Sequence, residues 1–193
     1  MASKYTSYKI LIQELPFQTT GKKLEGINKF FNSFKYRNEI TDYWKCLYEF
    51  LIDEFGDCDD FAISKYFSLI KLNFDKRKLK LAYAQILIKG KKEGHMVLLY
   101  KHSEKLTIIL DNYDKKIHRL DNRKNLEIIF TFDDENIYFR ESTYPNNLSK
   151  WSDLKRRTRE TPDKYLIDKN NDVITPSKQN RQDNEYKEDN SPK

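Results

Sequence analysis

The chain has 193 residues, of which 38% are hydrophobic, 14% aromatic and 34% charged, and its formal net charge is +6. This length allows one domain with a proper hydrophobic core, and the aromatic content is higher than disordered chains show. The basic and acidic side chains are interspersed, without an arginine-rich stripe or a glycine–aromatic RNA motif. We therefore expect no nucleic-acid partner.

Cysteine count and hydropathy exclude further classes. Cys46 and Cys58 are the only cysteines, too few for a disulfide scaffold or a zinc ribbon. No run approaches the roughly 18 consecutive apolar residues of a membrane span. Residues 1–20 lack the apolar core of a signal peptide. The sequence alone fits either a cytosolic protein or the trimmed form of an exported one.

Helical periodicity dominates the first part of the chain. Residues 22–53 predict two helical segments, because apolar side chains recur there at three- and four-residue spacing. The first has Leu24, Ile27, Phe30, Phe31 and Phe34, and the second, shorter one has Trp44, Leu47, Tyr48, Phe50 and Leu51. Gly56 then suits a turn. A third helix is predicted from about residue 57 to 72, with Asp57 as its N-cap and Cys58 in its first turn.

The pattern then changes to short runs rich in β-branched and aromatic residues. Strands are predicted at 78–89, 95–100, 106–112, 126–132 and, more weakly, 136–139. Helices followed by an antiparallel meander indicate an α+β domain. A short helix near the end would dock Trp151 and Leu154. We assign residues 1–20 to an N-terminal segment, 21–160 to the domain, and 161–193, poor in apolar groups, to a disordered tail.

Cys58 is a candidate nucleophile. A thiolate gains stabilisation at a helix N-terminus, where unpaired N–H groups also suit an oxyanion. Its acidic neighbours Asp57, Asp59 and Asp60 act in the opposite direction, since carboxylates raise a thiol's pKa. A competent site therefore needs a base and a group that orients it.

His95 and Asp111 meet that need. His95 begins a predicted apolar strand, and Asp111 ends the next one. If three residues connect the two strands, His95 and Asp111 lie directly opposite each other, roughly 5 Å apart at Cβ. A connector of two or four residues makes them near neighbours instead. Either geometry lets the aspartate hold the imidazole, as in a catalytic triad.

Simpler interpretations exist for each residue alone. A lone buried Cys is usually a small hydrophobic residue, a His in a strand is more often structural, and an Asp after a strand usually forms a turn. All three in one arrangement are less probable by accident. The combination predicts a thiol hydrolase or acyltransferase.

Long motifs surround these three residues. The stretches "GDCDDFAISKYFSL", "GHMVLLY" and "LDN" resemble, in order, those of the bacterial transglutaminase-like cysteine proteinases, the LapG-type periplasmic proteases. The resemblance covers roughly residues 22–155 and also takes in "INKFFN", "DYW" and "WSDL". It implies a papain/transglutaminase-like fold, in which the nucleophile's helix packs on an antiparallel sheet.

The resemblance also implies residue roles. Cys58 would be the nucleophile, His95 the general base and acid, and Asp111 the orienting carboxylate. Acidic residues beside the nucleophile bind calcium in this family, which implies Asp57 and Asp59, with Asp60 as a further ligand. Asp59 stands where the family usually has Glu, so its reach is one methylene shorter. A bound Ca²⁺ would offset the acidic charge next to the thiol.

The implied activity is endoproteolysis of a large, repeat-containing surface adhesin. Cleavage near the adhesin's N-terminus, at two consecutive alanines, would release cells from a biofilm. An inner-membrane cyclic di-GMP receptor of the LapD type would hold the protease back. The implied location is the periplasm, with the signal peptide trimmed. Two alternatives remain: an acyltransferase or amidase with the same triad, and a binding module whose triad is vestigial.

Overall fold

The computed structural model describes residues 3–38 and 41–160. The tail predicted to be disordered, residues 161–193, lies outside the described residues. No helix within the described ranges has both the length and the apolar character needed to cross a bilayer.

Helices form the first half of the described chain. They are α1 (Lys4–Glu14), α2 (Thr20–Phe31), α3 (Leu47–Asp53) and α4 (Cys58–Lys71). The short strands β1 (Lys35–Tyr36) and β2 (Phe55–Gly56) pair in parallel between them. The three helices expected between residues 22 and 72 are confirmed, and α1 is an addition that the sequence pattern did not indicate. Its Tyr8 is buried and hydrogen-bonds Ser68 of α4.

A seven-stranded sheet forms the second half. Its strands are β3 (Leu79–Ile88), β4 (Lys91–Ser103), β5 (Leu106–Leu110), β6 (His118–Arg119), β7 (Leu126–Phe132), β8 (Asn136–Phe139) and β9 (Ser142–Pro145). All neighbours are antiparallel, in the order β6-β5-β4-β3-β7-β8-β9. The α+β class is confirmed. The predicted simple meander is wrong, because β7 does not pair with the preceding strand β6 but lies beside β3.

The main core lies between the helices and one face of this sheet. Helix α4 packs across β4 and contacts α2 and α3 on its other sides. Its buried residues Ile63, Tyr66 and Leu69 join the apolar side chains of both layers in one cluster. The last helix, α5 (Ser149–Glu160), docks Trp151 and Leu154 into the same core, as the sequence predicted.

The hairpin between β3 and β4 is tighter than the sequence suggested. Its turn consists of Lys89 and Gly90, which both have positive φ (48° and 81°). Such a two-residue turn matches the right-handed twist of the flanking strands, so pairing continues up to the turn. Strand β4 therefore begins at Lys91, and the expectation that His95 begins the strand is wrong. His95 lies inside the strand, opposite Ala84.

Gly56 has a packing role instead of the turn role predicted for it. The left-handed residue after α3 is Glu54, with φ of 59°, and Gly56 pairs with Tyr36 in the short parallel ladder. A Cβ atom on Gly56 would overlap the carboxylate of Asp60. The absence of a side chain thus lets Asp60 approach the strand that leads into α4.

We expect Gly56→Ala to destabilise the fold by about 1–3 kcal/mol, because the added methyl group forces Asp60 out of its buried position. The matched control is Gly21→Ala in α2, where a Cβ meets nothing within 4 Å. That change should be neutral or stabilise by up to about 1 kcal/mol. Urea denaturation of both variants measures the difference. Equal free energies of unfolding would contradict this account of Gly56.

Candidate active site

Cys58 is the first residue of α4, and Asp57 is the N-cap, as the sequence predicted. The Cys58 side chain is partly exposed, whereas Cys46 is buried. The backbone N–H of Met96 lowers the pKa of the Cys58 thiol. Met96 and Cys58 line the same cleft, so the first turn of α4 lies beside the β4 residue that follows His95.

The surroundings of the sulfur disfavour its charged form. Burial raises the pKa of the Cys58 thiol to about 12, and the carboxylates of Asp59 and Asp57 add to the increase. The Met96 N–H acts in the opposite direction but does not outweigh them. Reactivity therefore depends on a base that takes the proton and on positive charge near the two acids.

His95 and Asp111 are in direct contact. The Nε2 atom of His95 lies 2.7 Å from Oδ1 of Asp111, and both side chains are buried. His95 and Cys58 line the same cleft. Because Nε2 faces the carboxylate, Nδ1 is the ring nitrogen left for a proton from another group.

The strand register behind this contact differs from the expected one. Lys101 lies opposite Thr107 and Leu98 opposite Leu110, so the ladder is shifted by two residues from the predicted pairing. The connector has two residues, and a bulge follows it between Lys101 and Ser103. A shift of two keeps the same face of the sheet, because side chains alternate with a period of two. His95 and Asp111 therefore meet diagonally instead of directly across the hairpin.

Asp111 has several hydrogen-bond donors besides His95. Its Oδ1 also accepts from the N–H of Tyr113 (2.9 Å), and its Oδ2 accepts from Nη1 of Arg123 (2.7 Å). Burial alone would raise the pKa of Asp111, but the hydrogen bond and charge of His95, together with the donors Tyr113 and Arg123, hold it well below its usual range. The group is thus a carboxylate at neutral pH, able to orient and stabilise an imidazolium.

Sequence reasoning missed Arg123. It lies in the polar stretch "DNRKN" after β6, where no periodicity or motif distinguishes one basic residue from another. The fold buries it against the fully buried carboxylate of Asp111. Asn32 and Lys65 were missed in the same way. Both donate to the backbone carbonyl of Asp111.

The three acids at the start of α4 lie close together. One carboxylate oxygen each of Asp57, Asp59 and Asp60 falls within 4.8 Å of the others. Oδ1 of Asp57 is buried, and no donor among the described residues hydrogen-bonds it. A buried carboxylate oxygen in that situation suits a hard cation such as Ca²⁺, which prefers oxygen ligands.

Asp60 differs from the other two acids. Its Oδ1 accepts from the backbone N–H of Lys45 (2.8 Å), and its Oδ2 lies 3.5 Å from Nζ of the same lysine. Its Oδ2 also accepts from the N–H of Asp57, at 3.3 Å. Both oxygens of Asp60 thus already have partners inside the protein. Asp57 and Asp59 fit a metal better.

The cleft beside Cys58 and His95 has a volume of about 590 Å³. Its walls are mainly aromatic and apolar: Trp44, Tyr83, Met96, Phe130, Phe132 and Leu148. Asp42 and Lys150 form an ion pair at its rim. An open, apolar cleft with a thiol and an imidazole on one wall can accept a length of polypeptide for acyl transfer.

Comparison with known proteins identifies a family with this fold and this site. The family model described as "Bacterial transglutaminase-like cysteine proteinase BTLCP" matches residues 17–158. A solved structure of calcium-bound LapG from Legionella pneumophila is 32% identical, covering 81% of this chain and 92% of that one, with a TM-score of 0.73. EGTA-treated LapG from the same organism is also 32% identical, covering 80% and 88%, with a TM-score of 0.75. Among curated proteins, no sequence matches.

These findings confirm the transglutaminase-like fold and the resemblance seen in the motifs. The matched region contains α2 to α4, the whole sheet and most of α5, and so includes every residue placed in the cleft above. The chain belongs to the bacterial transglutaminase-like cysteine proteinases.

Proposed function

We propose that the chain is a calcium-dependent cysteine endopeptidase in which Cys58, His95 and Asp111 form the catalytic triad. The observation that carries this proposal is the 2.7 Å contact between His95 and the buried Asp111, because His95 lines the cleft that also contains the first-turn thiol of α4. A nucleophile, a base and an orienting group in this relation are what thiol acyl transfer requires.

The proposed chemistry follows from these positions. The Cys58 thiol gives its proton to Nδ1 of His95, and the sulfur attacks the carbonyl carbon of the scissile peptide bond. The unpaired N–H groups in the first turn of α4 stabilise the oxyanion. His95 returns the proton to the leaving amine as the C–N bond breaks. Water, deprotonated by His95, then hydrolyses the thioester, and Asp111 stabilises the imidazolium throughout.

The proposed metal is Ca²⁺, held by Asp57 and Asp59. The buried Oδ1 of Asp57 and the short distances among the acids support this choice, and a LapG structure of Legionella pneumophila is calcium-bound. The ion would supply positive charge beside the thiol and would fix the loop leading into α4. Asp60, predicted as a further ligand, is better explained as the partner of Lys45.

The proposed substrate is a large, repeat-containing surface adhesin, cut near its N-terminus at two consecutive alanines. Its release would promote biofilm dispersal, under the control of an inner-membrane cyclic di-GMP receptor of the LapD type. We place the activity in the periplasm. The similarity to LapG along most of both chains supports this assignment, and the open cleft suits an extended polypeptide.

We expect Cys58→Ala to abolish cleavage of an adhesin fragment that contains a di-alanine site, with a loss of about 10⁴-fold or more. The fold should persist, because alanine is well tolerated in a first helical turn. The control is Cys46→Ala, which should keep activity apart from a modest packing loss. Gel analysis of the fragment with time measures both. Undiminished cleavage by Cys58→Ala would exclude the thiol as nucleophile, and transfer to an added amine in place of hydrolysis would favour an acyltransferase.

We expect His95→Ala to lose nearly as much activity as Cys58→Ala, because no base then takes the thiol proton. Asp111→Asn should lose less, since the amide can keep the contact with the ring but cannot stabilise the imidazolium. His102→Ala, at an exposed position of the sheet, is the control and should behave like the parent. If both Asp111→Asn and Asp111→Ala retain parental kcat, another group orients His95.

We expect chelation by EGTA to reduce activity without global unfolding, and Ca²⁺ to restore it where Mg²⁺ does not, because magnesium demands tighter octahedral geometry. Calcium should also raise Tm, since it binds the folded state. The double variant Asp57→Ala, Asp59→Ala should lose both responses, whereas Asp121→Ala, on an exposed side chain, should keep them. Asp59→Glu is expected to tighten binding. Full cleavage in excess EGTA, with no metal in the purified protein, would reject the site.

A further inference from the structure

Asp111 follows the last residue of β5, so its position is not fixed by strand pairing. Strand β5 ends at Leu110, so no ladder hydrogen bond fixes the backbone of the next residue. The diagonal contact with His95 nevertheless requires Asp111 to occupy one definite position. Other groups must supply that constraint.

Two buried side chains donate hydrogen bonds to the backbone carbonyl of Asp111. Nδ2 of Asn32 donates to this oxygen at 2.8 Å, and Nζ of Lys65 donates to it at 3.0 Å. Lys65 Nζ also donates to Oδ1 of Asn32 at 2.8 Å, which closes a ring of three hydrogen bonds. All three residues are buried, and Lys65 is fully so.

The position of Lys65 links this ring to the nucleophile. Lys65 follows Cys58 by seven residues in α4, which is close to two turns, so both side chains lie on nearly the same face of one helix. The helix that presents the thiol therefore also hydrogen-bonds the backbone carbonyl of Asp111, the residue that carries the orienting carboxylate. A displacement of α4 would move both together.

We propose that Lys65 is a positioning residue of this protease: with Asn32, it holds the Asp111 carbonyl against α4, so that the Asp111 carboxylate meets His95 beside Cys58. This inference rests on the proposed triad and adds to it the constraint that assembles it. Lys65 does not touch substrate and acts only through Asp111.

The burial of Lys65 makes a purely stabilising role a poor explanation. Burial lowers the pKa of its ammonium to about 7, with the Asp111 carboxylate opposing the decrease. Taking this charge out of water is costly, and well-packed apolar residues at such positions are often equally stabilising. The two acceptors need only two N–H groups, which a neutral amine also has. The ring can therefore persist whether or not Lys65 is protonated.

The test compares Lys65→Met with Lys71→Met, a lysine on the same helix whose Nζ contacts the Tyr48 hydroxyl near the surface. Methionine keeps an unbranched apolar stem but cannot donate. We expect Lys65→Met to lower kcat about 10- to 100-fold, the scale of a misplaced catalytic group, with KM nearly unchanged. Its Tm should stay within about 5 °C of the parent. Lys71→Met should match the parent in kcat.

A second measurement does not use turnover. The alkylation rate of Cys58 by iodoacetamide, followed by mass spectrometry, reports how well His95 takes the thiol proton. We expect a slower rate in Lys65→Met, with buried Cys46 as the internal reference. Asn32→Ala should give the same phenotype. The double variant should lose little more than either single variant, because both donors act on one carbonyl. If Lys65→Met fails to fold, Asn32→Ala carries the test alone.

The outcomes separate this inference from the proposed function. If Cys58→Ala abolishes cleavage while Lys65→Met and Asn32→Ala keep parental kcat and alkylation rate, the protease assignment stands and the positioning role is overturned. If activity falls only in proportion to the loss of folded protein, Lys65 is structural and the inference also fails. If Cys58→Ala cleaves normally, the proposed function itself is wrong.

Discussion

The site depends on the hydrogen bond between His95 and Asp111, and this bond depends on groups outside the hairpin that carries both residues. The sheet places His95 inside β4, where it pairs with Ala84 of β3, whereas β5 ends at Leu110, one residue before Asp111. Asp111 is then held through its carboxylate by Arg123 and through its carbonyl by Asn32 and Lys65. Residues from the C-terminal cap of α2, from α4 and from the segment after β6 thus converge on one aspartate.

Helix α4 explains why these contacts form together. Its first turn presents Cys58, its middle presents Lys65, and the helix packs across β4, the strand that carries His95. Packing the helix on the sheet therefore assembles the thiol, the imidazole and the carboxylate in one event. Loss of apolar contact between α4 and β4 would separate the Cys58 thiol from His95 and would also remove the hydrogen bond of Lys65 to the Asp111 carbonyl.

Local patterns predicted much of this arrangement. Helical periodicity located α2 and α4, β-branched runs located β3 to β5, and the N-cap signal placed Cys58 in a first turn. The hairpin register was wrong because a bulge is not visible in the sequence, yet the face was right, since a shift of two residues preserves side-chain alternation. Arg123, Asn32 and Lys65 could not be predicted. Their partners lie 12, 79 and 46 residues away along the chain, and only tertiary packing selects them among many polar residues.

The buried charges suggest how the protein divides its electrostatic tasks. Asp60 is neutralised by Lys45 and Asp111 by Arg123, so the acids with structural or orienting positions receive cations from the chain itself. Asp57 is different, since its buried Oδ1 meets no donor among the described residues. An internal lysine beside Asp57 would have supplied positive charge permanently. At the proposed calcium site, an exchangeable cation would make the charge next to Cys58 depend on the surrounding calcium concentration.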